Sequence, residues 1–141
     1  MSELPTIEQT FIVSGQAKLE VKPIAILGDG SGLAAQASAC ANEQARFWDY
    51  HDILYANQKG KRQQQTANDL KRYAAAAGLD TENFGSCLDS GKYAAMVTND
   101  TNAAQQLGID STPTILVNGN PVESTADAVG QAIQRELPSG S

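Results

Sequence analysis

The 141-residue sequence contains few metal-ligating or thiol groups. Its only two cysteines, Cys40 and Cys87, lie 47 positions apart and form no Cys-x-x-Cys pair, and His51 is its only histidine. A structural zinc site takes four ligands of the Cys and His type, more than these residues supply. We therefore expect no metal site and no cofactor.

Basic charge and long apolar runs are also scarce. The formal net charge is −6 and the isoelectric point is about 4.6, so nucleic acid is not an expected partner. No apolar run approaches the roughly 18 residues of a membrane helix. Met1 is not followed by a basic and then hydrophobic signal segment. The sequence therefore predicts no membrane span and shows no export signal.

Hydrophobic periodicity predicts one domain of mixed helices and strands. The 4–13 segment favours a helix, and the alternation over 17–23 favours a half-buried strand. Further helices are predicted over 33–57 (in two parts), 67–77, 81–88 and 91–106. A strand over 114–117 then leads into a hairpin turn over 118–121. The last helix is capped by Ser124 or Thr125 and buries Ala128, Val129, Ala132 and Ile133.

A glycine-rich segment, 28–32, suggests phosphate binding at first sight. No lysine follows it, and it lacks the Gly-x-Gly-x-x-Gly spacing of a dinucleotide site. We interpret it as a loop that caps the next helix with Asp29 or Ser31.

The stretch 108–119 reads Gly-Ile-Asp-Ser-Thr-Pro-Thr-Ile-Leu-Val-Asn-Gly. It follows an Ala/Gln-rich helix and resembles the cis-proline loop of thioredoxin-fold proteins, most closely that of the DsbA-like thiol–disulfide oxidoreductases. The resemblance implies that Thr112 and Pro113 face the active-site cysteines and that the Thr112–Pro113 bond is cis. It also implies that the backbone here pairs with an extended substrate, which makes Ser111, Thr112 and Pro113 the candidate substrate-binding residues.

Other positions from about residue 4 to residue 133 resemble the same family. They are Ala34, Ala35, Cys40 and Ala41, then Phe47, Trp48, Tyr50, His51 and Leu54, then Gly78, Leu79, Asp80, Phe84, Cys87 and Leu88. The resemblance implies an α/β fold in which a thioredoxin-like core carries an inserted helical domain. On that basis, residues 4–29 and 106–137 form the incomplete core, residues 30–105 form the insertion, and 138–141 is a disordered tail.

The sequence departs from the family where the catalytic Cys-x-x-Cys and the strand before it would lie, since it begins just past them. Either the chain is a fragment, which we favour, or the protein has lost that chemistry. The missing strand lies centrally in the family's sheet, between the segments 17–23 and 114–117. We therefore expect a homodimer, a strand swap, or direct pairing of the two remaining strands, because buried unpaired backbone groups cost about 1–3 kcal/mol each.

The residues alone leave Cys40 and Cys87 open to three interpretations: a structural disulfide between helices, two buried free thiols, or a redox pair. The resemblance to DsbA-like proteins of the actinobacterial envelope favours the structural disulfide. Such a bridge implies an oxidising compartment for the parent protein.

His51 lies in an aromatic helical segment between Tyr50 and Asp52, and we interpret it as a packing residue rather than a general base or metal ligand. The apolar face of that segment is most simply core. The acidic pairs Asp49/Asp52 and Asp80/Glu82 are expected on solvated faces and at helix caps.

These observations lead to one functional expectation and one alternative. The resemblance implies the major C-terminal part of an exported, extracytoplasmic thiol–disulfide oxidoreductase that acts on cysteine-containing proteins or peptides. With no catalytic cysteines of its own, the chain should be inactive in exchange. The alternative is a redox-dead thioredoxin-fold module that binds a peptide or partner.

Overall fold

A computed structural model describes residues 3–25, 29–57 and 65–139. The chain forms two compact units. One comprises Met1–Val21 and Ser111–Ser141, and we call it the terminal unit. The other comprises Lys22–Asp110, and we call it the helical unit.

Helices account for most of the described structure. The terminal unit has α1 (Leu4–Ile7), which continues as a π-helical turn over Glu8–Ile12, then strands β1 (Ile115–Val117) and β2 (Asn120–Val122), and helix α7 (Ala126–Glu136). The helical unit has α2 (Asp29–Glu43), α3 (Phe47–Ala56), α4 (Ala67–Ala76), α5 (Thr81–Asp89) and α6 (Ala94–Gln106). None of the described helices is long and apolar enough to cross a membrane.

The helical unit encloses a core centred on three fully buried side chains, Tyr50, Leu70 and Phe84. The rings of Tyr50 and Phe84 lie 5.3 Å apart between centroids. The hydroxyl of Tyr50 donates to the carbonyl oxygen of Leu70 at 3.0 Å, so the polar end of this residue is satisfied inside the core. Helices α3, α4 and α5 are thereby joined around one aromatic centre.

Local signals in the sequence set the ends of α4 and α5. Thr66 and Asp69 form a capping box that satisfies the first turn of α4. Gly78 follows α4 with φ +75°, a left-handed conformation that favours glycine at a helix C-terminus. Asp80 then caps α5 by accepting from the Asn83 backbone at 3.0 Å. These ends agree with the sequence predictions.

The terminal unit is a hairpin backed by helices. Strands β1 and β2 are antiparallel with Ile115 opposite Val122, and Asn118 and Gly119 form the two-residue turn. Both turn residues have positive φ, +48° and +84°, as a tight hairpin turn requires. Val129 and Ile133 of α7 are buried with α1 and the π-helical turn, as the predicted stripe on the last helix required.

The predicted strand over 17–23 is wrong. Ala17 and Leu19 are half-buried and Lys18 and Glu20 exposed, but Val21 is 39% exposed, so the alternation stops before it, and the segment is neither strand nor helix. A strand needs a hydrogen-bonded neighbour, and among the described residues the sheet contains β1 and β2 alone. Direct pairing of this segment with β1 is therefore also wrong.

Two side-chain hydroxyls form hydrogen bonds with the backbone just after the 17–23 segment. The Ala25 N–H donates to Thr101 Oγ1 at 3.0 Å, and Ser31 Oγ donates to the Ile24 carbonyl oxygen at 3.4 Å. The predicted loop over 28–32 is also wrong from residue 29 on, since Asp29 already begins α2. Helix propensity costs about 1 kcal/mol per glycine, which the packing of a long helix can outweigh.

Two smaller differences from the sequence predictions concern the start of one helix and the exposure of one face of another. Helix α6 begins at Ala94, three residues later than predicted. On α3 the aromatic residues are not all core, because Trp48 and Tyr55 are 40% and 47% exposed. The predictions for residues 26–28, and for 140–141 in the predicted tail, lie outside the described residues.

Replacing either of two helical glycines by alanine should change the free energy of unfolding in opposite directions. A Cβ on Gly130 would lie 3.2 and 3.3 Å from the buried ring of Phe11, whereas one on Gly85 would meet only Lys71 Cε at 3.8 Å. We expect Gly85→Ala to raise the free energy of unfolding by about 0.5–1 kcal/mol, and Gly130→Ala to lower it by about 1–3 kcal/mol. Urea unfolding followed by circular dichroism tests this, and an equal gain in both variants would contradict the packing of Phe11 on α7.

Burial, followed by the nearby Tyr73, raises the pKa of Tyr50 above its ordinary value of 10.0. The unfolded chain would ionise Tyr50 near that ordinary value while the folded chain keeps it protonated, so stability is retained below about pH 10 and falls as the pH rises further. We expect the free energy of unfolding of Tyr50→Phe, measured by urea unfolding at a series of pH values, to fall less steeply above about pH 10 than that of the parent. Identical alkaline slopes in the two proteins would show that Tyr50 is not held protonated by burial.

Candidate functional site

The loop before β1 carries the three residues that the sequence singled out, Ser111, Thr112 and Pro113. All three are exposed, and the Thr112–Pro113 peptide bond is cis. Thr114 Oγ1 donates to the Ser111 carbonyl oxygen at 2.6 Å. The loop therefore bonds back on itself just before the strand begins.

The second support of this loop comes from across the hairpin. Ser124 Oγ donates to the Pro113 carbonyl oxygen at 3.2 Å. Sequence reasoning treated Ser124 only as an alternative helix cap, and Thr125 takes that role by accepting from the Ala128 backbone. The register of the hairpin could have revealed this contact. When Ile115 pairs with Val122, Pro113 and Ser124, each two positions further from the turn, also lie opposite each other.

Some backbone groups of the loop make no hydrogen bond within the described residues. The carbonyl oxygens of Ser111 and Pro113 accept side-chain hydroxyls. Within the described residues, the backbone of Thr112 between them makes no hydrogen bond. On the strand that follows, β1 pairs with β2 on one edge alone. An exposed backbone N–H and C=O beside a strand edge can pair with an extended peptide.

The two cysteines lie elsewhere, in the helical unit. Cys40 on α2 and Cys87 on α5 form a disulfide with 5.9 Å between their Cα atoms. Their residues are 1% and 8% exposed and belong to the core that contains Tyr50 and Phe84. The chain has no free cysteine. Thiol–disulfide exchange depends on access to the sulfur, and both of these residues are buried.

His51 is buried, as its interpretation as a packing residue required. Its ring centroid lies 5.3 Å from that of Trp48 and 4.5 Å from that of Tyr55, and its Nδ1 donates to Asp52 Oδ1 at 3.2 Å. Among the described residues, no group of three His, Cys, Asp or Glu side chains could hold a metal ion.

The acidic pairs have the surface roles that were expected. Asp49 forms an ion pair with Arg46 at 2.8 Å, and Asp80 caps α5. Asp80 also exchanges two hydrogen bonds with the side-chain amide of Gln44, at 2.8 and 3.1 Å, which ties the α2–α3 loop to the start of α5. Asp49 and Asp80 therefore support the helical unit, Asp80 through both its carboxylate and its backbone.

Comparison with known proteins places these features in a family. The family model described as "Thioredoxin" matches residues 2–135. Disulfide bond formation protein D of Bacillus subtilis is 30% identical over 139 residues, which covers 94% of this chain and 63% of that relative. The chain thus spans less than two thirds of the length of this curated relative.

Two solved structures share the fold. A thioredoxin-like oxidoreductase from Silicibacter pomeroyi DSS-3 superposes with a TM-score of 0.78 and 25% identity, covering 96% of this chain and 76% of that one. Oxidised Mtb DsbA superposes with a TM-score of 0.61 and 24% identity, covering 94% and 75%, and shows likeness of fold alone. The chain belongs to the thioredoxin family, and its fold is like that of DsbA.

Proposed function

We propose that this chain supplies the substrate-holding loop and the helical part of a thiol–disulfide oxidoreductase that acts on cysteines of other proteins. The observation that carries the proposal is the family match over residues 2–135 together with the likeness to disulfide bond formation protein D. That relative's name describes the formation of disulfide bonds, and a protein of that class takes protein thiols as substrates.

The substrate would bind along the loop formed by Ser111, Thr112 and Pro113. This loop is exposed, and the Thr112 backbone makes no hydrogen bond within the described residues. An extended segment beside the substrate cysteine would pair with Thr112 through backbone groups, which recognises many sequences because it reads no side chain. Thr114 and Ser124 would hold the loop in place from behind.

The redox-active dithiol would come from outside this sequence. Cys40 and Cys87 are the only cysteines, and they are bonded to each other and buried. We propose that the chain corresponds to the greater part of a longer protein whose Cys-x-x-Cys precedes residue 1, and that the chain by itself does not exchange disulfides.

The proposal extends to domain roles and location. Residues 4–29 and 106–137 would form the thioredoxin-like core and residues 30–105 its helical insertion. The parent protein would be exported, because disulfides form and persist in oxidising compartments. Completion of the sheet by a second copy or a swapped strand stays a prediction, and the described residues add no observation in its favour.

We further propose that the Cys40–Cys87 disulfide is structural. It joins α2 to α5 within a core that already packs the same two helices, and neither sulfur is accessible enough to meet a second thiol. Its role would be to restrict the unfolded chain rather than to transfer electrons.

The exchange proposal can be tested with two proteins: this chain, and the chain extended upstream along its own coding sequence. We expect this chain to leave the rate of dithiothreitol-driven insulin reduction at the buffer rate, since it offers no accessible thiol. The extended protein should contain a Cys-x-x-Cys and accelerate the reaction.

The control is the extended protein with both upstream cysteines changed to serine, which should fall back to the buffer rate. Exchange by the present chain alone, or an upstream sequence with no cysteine pair, would contradict the proposal. The second result would favour a redox-dead binding module.

The structural role of the disulfide has its own test. We expect the paired Cys40→Ala/Cys87→Ala variant to lose about 4 kcal/mol of unfolding free energy by the chain-entropy argument for a loop of this length. Urea unfolding of the variant and the parent measures the difference. A loss below about 1 kcal/mol would contradict a stabilising role.

A further inference from the structure

We propose that Trp48, Asp52 and Tyr55 on α3 form a docking site for an arginine side chain of an extended partner polypeptide. We call these three residues the α3 stripe. The proposal goes beyond thiol exchange and does not depend on it, because no cysteine takes part.

The α3 stripe follows helical spacing. Positions 48, 52 and 55 are i, i+4 and i+7, so they lie on one face of α3, and side chains three or four positions apart have Cβ atoms about 5–6 Å apart. All three are exposed: Trp48 by 40%, Tyr55 by 47%, and the Asp52 side chain by 80%. Two aromatic rings therefore flank one carboxylate on the surface of the helical unit.

A buried residue fixes these three groups from below. The His51 side chain is only 10% exposed, contacts both rings, and donates from Nδ1 to the Asp52 carboxylate. Phe47 packs against Trp48 as well, with 5.0 Å between the ring centroids. A surface whose side chains are already held loses less conformational entropy when a partner binds.

Charge decides which kind of partner fits the stripe. Asp49, one residue after Trp48, is neutralised by Arg46 at 2.8 Å, whereas the partner of Asp52 among the described residues is the imidazole of His51. The stripe thus presents a carboxylate that no described Lys or Arg neutralises, in a chain of net charge −6. It is complementary to a cation.

Among cations, the guanidinium group matches the stripe best. It is planar and weakly hydrated, stacks on aromatic faces, and bonds carboxylates with a fork of N–H donors, whereas an ammonium is a compact, strongly hydrated point charge. Exposed tryptophan and tyrosine are also the residues that most often dominate binding at protein interfaces. An arginine carried on an extended segment can lay its guanidinium on the exposed aromatic surface of the stripe, beside the Asp52 carboxylate.

Trp48 is the only tryptophan in the sequence, so its fluorescence reports on the site directly. The probes are two peptides, acetyl-Gly-Ser-Arg-Ser-Gly-amide and its glutamine counterpart. We expect a saturable change of fluorescence with the arginine peptide, a several-fold weaker one or none with the glutamine peptide, and weaker binding at high salt.

Two variants distinguish the effect of the Asp52 carboxylate from the effect of the chain's overall negative charge. Asp52→Asn should weaken the arginine peptide about three- to tenfold, through loss of the ion pair beside the rings. Asp49→Asn is the matched control: it removes an acid on the same helix that lies off the stripe and is already paired, and it should change the affinity less than twofold. Circular dichroism spectra that match the parent's establish that both variants are folded.

Three results would overturn the proposal: no response to the arginine peptide, equal binding of the glutamine peptide, or equal effects of the two variants. The basic residues Lys59, Lys61 and Arg62 follow α3 in sequence and lie outside the described residues. If the parent fails to bind while a variant with glutamine at these three positions does bind, the chain's own segment is the occupant, and docking of a partner is overturned.

Discussion

The disulfide between Cys40 and Cys87 is the constraint on which, in our account, the helical unit depends. It fixes α2 to α5 in the core that encloses Tyr50, Leu70 and Phe84. It also removes the only two thiols of the chain from solvent. In our account, one bond therefore stabilises the helical unit and leaves the exchange chemistry to cysteines outside this sequence.

The loop in the terminal unit has a different physical basis. Its geometry comes from a two-residue hairpin turn, whose register places Ser124 beside Pro113, and from Thr114, which bonds back to Ser111. Among the described residues, the Thr112 backbone makes no hydrogen bond, and β1 has β2 as its one neighbouring strand. The terminal unit thus offers exposed backbone groups beside a strand edge, and the helical unit offers an aromatic and acidic surface. Each suits contact with an extended polypeptide by different chemistry.

The sequence was sufficient wherever a local signal determines structure. The cap at Asp80, the helix end before Gly78 and the Asn118–Gly119 turn are each set by the conformation of a few adjacent residues, and each was predicted. The segment 17–23 was misassigned because alternation shows which side chains can be buried, whereas a strand also requires a partner that lies elsewhere in the chain. The exposure of Trp48 and Tyr55 was missed for a related reason: an aromatic face matches the composition of a core, and only its neighbours in space decide whether it is covered.

Differential alkylation of the native chain tests the central claim most directly. The folded protein is incubated with a mild reductant and an alkylating reagent, and the modified cysteines are counted by mass spectrometry, with a denatured sample as control. Our account predicts an unmodified native chain and modification of both Cys40 and Cys87 after denaturation. Rapid modification of both cysteines in a chain that stays folded would show an accessible, exchangeable disulfide and would contradict the account.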